Sequence, residues 1–134
     1  MNDKISLSIP TKSEYVSVAR LTSSVIANNM GFDIEEIEDI KVAVGEACNN
    51  AVLHTHDVDH TFDLSFFAEN EKLIIEVKDS GKGFALDSYR EPDLENPKEH
   101  GLGIFIMKSL MDDLKIDSEV GKGTFIRMTK YLNR

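Results

Sequence analysis

Residues 60–79 read HTFDLSFFAENEKLIIEVKD, and no other stretch limits the fold as tightly. In each half, apolar and polar residues alternate, the period of a strand with one buried face. The break at Glu69-Asn70-Glu71 joins the two runs, so they predict an antiparallel hairpin. A lone hairpin is marginal in water. It needs more strands beside it and an apolar layer over its face, and the rest of the chain offers both.

Upstream, KISLSIP alternates from Ile5 to Ile9 and stops at Pro10, which predicts a short strand. Thr11 or Ser13 offers a helix cap, Val16, Ala19, Leu21, Val25 and Ile26 an apolar stripe, and Gly31 a stop. Asp33 caps a second helix, in which Ile34, Ile37, Ile40, Val44, Ala47, Cys48 and Ala51 recur at three- and four-residue steps. That helix runs to His54 or His56, and Asp57-Val58-Asp59 turns into the hairpin.

Downstream, from Gly81 to His100, the pattern dissolves into glycines, prolines and charges. A loop of about 20 residues is uncommon in a compact domain and is often a lid or binding loop. Helical spacing returns at Leu102, Ile106 and Leu110, with Met107 and Met111 as core residues. Two more strands, LKIDSEV and GTFIRMTKYL, meet at Gly121-Lys122-Gly123. The order β-α-α-β-β-loop-α-β-β predicts an α+β fold: a two-layer sandwich whose mostly antiparallel sheet is covered on one face by helices. No repeat or linker divides residues 1–134, which are expected to form one domain.

The formal net charge of −9 argues against direct nucleic-acid or anionic-membrane binding and suits a protein partner with a basic face. Cys48 is the only cysteine, so no internal disulfide forms and a reducing cytosol fits. No apolar run approaches the roughly 18 residues of a membrane span, and MNDKISLSIP lacks a signal-peptide core. The expectation is a cytoplasmic domain.

The second helix contains EACNNAVLH, residues 46–54. Asparagine competes for backbone hydrogen bonds, so two inside a helix need a reason. Glu46 and Asn50, four apart, differ by only about 40° around the axis and share one face. A carboxylate one turn from an amide oxygen can support metal-assisted activation of a hydroxyl or water; a solvated polar face is the plainer alternative. Cys48 points about 200° away from Glu46 and reads as buried core.

DSGKGF, residues 79–84, puts Asp79 at a strand end, where it can accept from an exocyclic amine, with Gly81 and Gly83 able to approach a ligand closely. HGLGIF, residues 100–105, opens a helix, where backbone N–H groups favour a phosphate. GLGIFI lacks the third glycine of the dinucleotide fingerprint and GKGT is not a P-loop, so both of those sites are rejected. HTHDVDH gathers His54, His56, His60, Asp57 and Asp59, but its spacing is not that of the common zinc motifs and surface residues are the simpler reading.

The order of these features is specific: a helix with Glu46 and Asn50, a strand-end Asp79-x-Gly81-x-Gly83, Gly101-x-Gly103 at a helix start, then Gly123-Thr124 opening a strand. It resembles the ATP-binding (Bergerat) domain shared by gyrases, Hsp90 chaperones, MutL proteins and sensor histidine kinases. From Ile5 to Lys130 the chain is most similar to the single-domain anti-sigma-factor serine kinases of the RsbW and SpoIIAB type, including IMKSLMDDLKI and SEVGKGTFIRM. The family's first box, E-x-x-x-N-A-x-x-H, is matched at every fixed position, His54 included.

The resemblance implies ATP and Mg²⁺ as ligands. Glu46 would be the general base on a substrate serine and Asn50 the Mg²⁺ ligand, with Asn49 only a neighbour. Asp79 would bind the adenine amine, with Gly81 and Gly83 against the base and Thr124 supporting Asp79 or a bridging water. Gly101, Leu102 and Gly103 would present N–H groups to the phosphates. Residues 84–100 would be the lid, with Lys82, Arg90 and Lys98 as candidates for the terminal phosphate, and Arg20 would contact a protein partner. The implied partners are a sigma factor, an anti-anti-sigma (STAS-type) protein phosphorylated on serine, and a second copy in a homodimer. The alternative is a non-catalytic module that uses ATP only as a conformational ligand. A detached histidine-kinase ATPase is disfavoured, since no helical phosphoacceptor domain is present in these residues.

Overall fold

A computed structural model describes residues 2–53, 60–79, 99–119 and 121–132. The hairpin forms where the alternation places it. β2 (Thr61–Ala68) and β3 (Lys72–Asp79) pair antiparallel, from Asp63 opposite Lys78 to Ala68 opposite Leu73. In chain order the flanking strands are β1 (Asp3–Pro10), β4 (Asp113–Glu119) and β5 (Gly123–Tyr131). The sheet runs β1-β2-β3-β5-β4, and every neighbouring pair is antiparallel. The sequence-based expectation of an α+β sandwich holds.

Alternation decides which side chains go inward. Phe62, Leu64 and Phe66 of β2, Leu73, Ile75 and Val77 of β3, and Ile126 and Met128 of β5 are buried on one face. Each such side chain contributes about 1.5–3 kcal/mol of transfer free energy. Three helices cover them: α1 (Val16–Met30), α2 (Ile34–Leu53) and α3 (Glu99–Leu110). The covering face of α2 is small, with Ala43, Val44, Ala47, Cys48 and Ala51 fully buried, which lets the helix lie close to its neighbours.

The helix ends are set locally. Asp33 Oδ1 accepts the Glu36 N–H at 2.8 Å while Glu36 Oε1 accepts the Asp33 N–H at 3.0 Å, a reciprocal cap for α2. Gly31, at φ 100°, ends α1 in the left-handed region, its N–H reaching the Ala27 and Asn28 carbonyls. Lys130 of β5 donates to the last carbonyl of α3, Leu110 O, at 2.6 Å and lies 3.9 Å from Asp39 of α2. One cation thus ties both helices to the sheet.

Four expectations need correction. Neither Thr11 nor Ser13 caps α1: a 3-10 turn at Ser13–Tyr15 precedes it, and the Thr11 hydroxyl donates to His60 O at 3.0 Å. Leu21 and Val25, placed in the buried stripe, are 62% and 59% exposed, and Ser23 and Ala27 are buried instead. Ile34 is 82% exposed at the first turn of α2. In α3 the most buried positions are Ile104 and Met107, not Leu102, Ile106 and Leu110, and the helix starts at Glu99, inside the segment expected to be loop. Met107 and Met111 are core residues. Among the described residues no helix is long and apolar enough to cross a membrane.

Burial sets the chemistry of Cys48. Its thiol pKa is pushed up to about 12, chiefly because the thiolate would be desolvated, with the Arg20 charge opposing. The neutral thiol therefore contributes stability that is complete below pH ~9, the unfolded-state range, and is lost as pH rises toward the folded value. Native protein should resist thiol-specific labelling at pH 8. In urea melts above pH 9, the wild type should lose stability more steeply with pH than Cys48→Ala.

Candidate active site

The polar ridge of α2 opens into a cleft. About 350 Å³ is enclosed by Ser13, Glu46, Asn49, Asn50, Val52 and Leu53 on one side and Leu102, Gly103, Ile104 and Met107 of α3 on the other. Glu46 and Asn50 face it together because they stand one helical turn apart. Their opposite flank, Ala47, Cys48 and Ala51, is held in the core, so the orientation of the ridge follows from packing.

Gly103 lies close to the Glu46 carboxylate. A β-carbon placed on Gly103 would lie 3.3 Å from Glu46 Oε2, tighter than most contacts of that kind. The missing side chain therefore leaves the room that the carboxylate occupies. Gly101 and Leu102 precede it in α3, among the first four N–H groups, which have no partner inside a helix. The cleft thus combines a carboxylate, a carboxamide and the positive end of a helix. Such a set suits phosphate and a hard cation.

Asn50 carries an unmet demand. Its Nδ2 is buried without a hydrogen-bond partner. A half-turn of the carboxamide exchanges its nitrogen and oxygen, so this buried end can equally present Oδ1 to a cation.

Asp79 and Thr124 lie apart from this cleft. They face one another across β3 and β5, 6% and 3% exposed. They line a second cleft of about 230 Å³ with Lys78, Asp117, Glu119, Lys122, Gly123 and Phe125. Gly81, Gly83, Lys82, Arg90 and Lys98, and all of the expected lid except its last two positions, fall outside the described residues, as do His54, His56, Asp57 and Asp59. His60 is described and exposed. Among the described residues no group of three or more His, Cys, Asp or Glu side chains gathers around a metal position.

Arg20 enters neither cleft. Its side chain lies across α2 at Gly45, where an added β-carbon would come within 3.1 Å of Nη1 and 3.3 Å of Cδ. The bare backbone at Gly45 gives Arg20 its bed, one residue before Glu46. Ser13 was singled out from the sequence only as a helix cap, and Ser118 was not singled out at all. Ser118 could have been: it continues the inward row of Leu114 and Ile116 on β4 as a polar residue at a core position.

Residues 9–130 match the family model of the histidine kinase-like ATPase domain. The serine-protein kinase RsbW of Halalkalibacterium halodurans is 41% identical over 140 residues, covering 98% of this chain and 85% of that protein. The chain belongs to the RsbW branch of the histidine kinase-like ATPases. The RsbW of Listeria monocytogenes is 38% identical over 143 residues, covering 99% of this chain and 90% of its own. Among solved structures, the RsbU and RsbW domains from Mycobacterium tuberculosis align at TM-score 0.72 and 20% identity, over 98% of this chain and 33% of theirs. A blue-light-activated histidine kinase domain from Erythrobacter litoralis aligns at 0.56 and 22%, over 92% of this chain and 62% of its own. At those identities the two structures bear on the fold alone.

In an RsbW-branch protein the unmet end of Asn50 fits Mg²⁺, since amide oxygen and carboxylate are the donors that hard cations take. A stability test separates this from a stray polar residue. Asn50→Leu removes a buried group without a partner and should stabilise the nucleotide-free protein by about 1 kcal/mol, while abolishing the rise in thermal midpoint that Mg-ATP gives the wild type.

Proposed function

We propose that this RsbW-branch protein is an anti-sigma factor that binds Mg-ATP, sequesters a sigma factor and phosphorylates a serine of a STAS-type anti-anti-sigma protein. It is an ATP-dependent protein serine kinase. The observation that carries the reading is the close approach of Glu46 to Gly103 near the opening of α3, with Asn50 one turn away in the same cleft. A base beside a phosphate-binding helix start is what phosphoryl transfer to a hydroxyl needs.

Glu46 takes the proton from the substrate serine hydroxyl, whose oxygen attacks the γ-phosphorus; the bond to the β-phosphate oxygen breaks and ADP leaves. Asn50 would hold Mg²⁺, which would supply neutralisation of the charge on the phosphates. Gly101 and Leu102 orient the phosphates with backbone N–H groups, and Gly103, bare of a side chain, leaves the room that Glu46 occupies. Asp79 takes the adenine amine, supported by Thr124, with Gly81 and Gly83 against the base. The cleft walls from Val52, Ile104 and Met107 exclude water from the reacting atoms.

Two features support protein partners. The net charge of −9 complements a basic surface. Val18, Leu21 and Val25 form an outward apolar stripe on α1, 43%, 62% and 59% exposed. At 100° per residue these three fall within about 60° of one another, and Arg20 lies on another flank of the helix, toward α2. Arg20 stands about 100–160° around the helix from the stripe, so its charge is offered on a different face. The protein works in the cytoplasm as a homodimer, without direct contact to nucleic acid or membrane.

Transfer of γ-labelled phosphate from Mg-ATP to STAS-type proteins tests the kinase reading. Glu46→Gln should lower transfer to serine by about 100- to 10,000-fold with Mg-ATP affinity nearly unchanged. Equal transfer by the two proteins would remove Glu46 as the base.

A further inference from the structure

The fold brings Ser13 to the wall of the cleft that holds Glu46 and Asn50, and phosphate transfer to a partner makes no use of it. Among the described residues it is the only side-chain hydroxyl on that wall. A cleft suited to moving phosphate onto a serine therefore already contains a serine of its own chain.

Ser13 is held there from both sides. Just before it, Thr11 gives its N–H and its hydroxyl to His60 O, each at 3.0 Å. Just after it, the Tyr15 N–H reaches Lys12 O at 3.0 Å across the 3-10 turn Ser13–Tyr15, and Val16 is buried in the core. None of these anchors uses the Ser13 side chain, which is exposed.

The neighbouring hydroxyls are employed differently. On α1, Ser17, Thr22, Ser23 and Ser24 each donate to a backbone carbonyl three or four residues back, as short polar side chains in helices do. Ser13 follows Lys12, whose backbone is extended at φ −127° and ψ 134°, so no helical carbonyl lies one turn behind it. Among the described residues its hydroxyl makes no hydrogen bond. An attacking hydroxyl needs a free lone pair and a proton to surrender, and Ser13 keeps both.

We propose that this chain transfers the γ-phosphate of ATP to its own Ser13. The proposal rests on the kinase reading above. Ser13 Oγ attacks the γ-phosphorus and forms the new phosphorus–oxygen bond. The bond from that phosphorus to the bridging β-phosphate oxygen breaks, ADP leaves with its electron pair, and the hydroxyl proton passes to Glu46.

The test incubates the full chain with Mg-ATP carrying labelled γ-phosphate and no other protein, then digests it with trypsin. Cleavage after Lys12 and Arg20 leaves Ser13, Tyr15 and Ser17 in one peptide, SEYVSVAR, and fragmentation mass spectrometry tells them apart. The expected result is phosphate on Ser13, at a rate per molecule that does not change with protein concentration. Glu46→Gln should lower that rate about 100-fold or more, and Ser13→Ala should abolish it. Ser13→Thr should give phosphothreonine at position 13, which a variant that failed to fold could not do. Labelling of Ser13 that persists at the wild-type rate in Glu46→Gln, or that speeds up with protein concentration, overturns transfer within one cleft. An unlabelled Ser13 in protein that does phosphorylate a STAS-type substrate overturns the Ser13 proposal and leaves the kinase reading standing. If Mg-ATP binds yet neither Ser13 nor any STAS-type protein is labelled, the kinase reading falls and the Ser13 proposal with it, a result distinct from failure at Ser13 alone.

Discussion

A carboxamide nitrogen buried without a partner is the constraint around which this structure is arranged. The nitrogen of Asn50 is withdrawn from water with nothing to bond, at a cost of about 1–3 kcal/mol. The rest of α2 explains how the cost is borne. Its opposite flank is alanine, valine and cysteine sunk in the core, its first turn carries a reciprocal cap, and Arg20 lies across it at Gly45. A helix held so firmly keeps the unsatisfied Asn50 nitrogen in place. Local disagreement with folding rules, supported by agreement everywhere else, is the expected signature of a functional site.

The same logic applies to α3, which Ile104 and Met107 fasten to the core. Lys130 and the core contacts of Met107 and Met111 fix its C-terminal half. Its glycine-bearing first half faces Glu46 across the cleft. The two clefts are built from different elements, helices for one and strand ends for the other, and a single core fixes both. Sheet register matters most at the second cleft, because a slip of one residue would turn Asp79, Thr124 and Ser118 to the other face.

Much of this was legible in the sequence. The hairpin was readable because apolar and polar residues alternate from Phe62 to Phe66 and again from Ile75 to Lys78, on either side of Glu69-Asn70-Glu71, and β3 spans the KLIIEVKD run as expected. The α2 cap was readable because Asp33 and Glu36 sit at the spacing that caps need. The pairing of Glu46 with Asn50 on one face follows from helical geometry alone. Other features depend on tertiary contacts that no local pattern carries. Thr11 has cap chemistry, yet its hydroxyl is taken by His60, 49 positions away. Leu21 and Val25 have core chemistry, but α1 turns its Ala19, Ser23 and Ala27 flank inward. The fit of Gly103 against Glu46 joins residues 57 positions apart and needed the fold to be seen.

The most direct test is to watch Asn50 itself. Its side-chain amide gives resolvable signals in a ¹H–¹⁵N correlation spectrum, and these can be followed on titration with a non-hydrolysable Mg-ATP analogue and then with trace Mn²⁺. The account predicts that the Asn50 signals shift as nucleotide binds and that Mn²⁺ broadens them strongly when nucleotide is present. Signals that stay unmoved and sharp while nucleotide binding saturates would contradict it, and the cation would have to be held elsewhere.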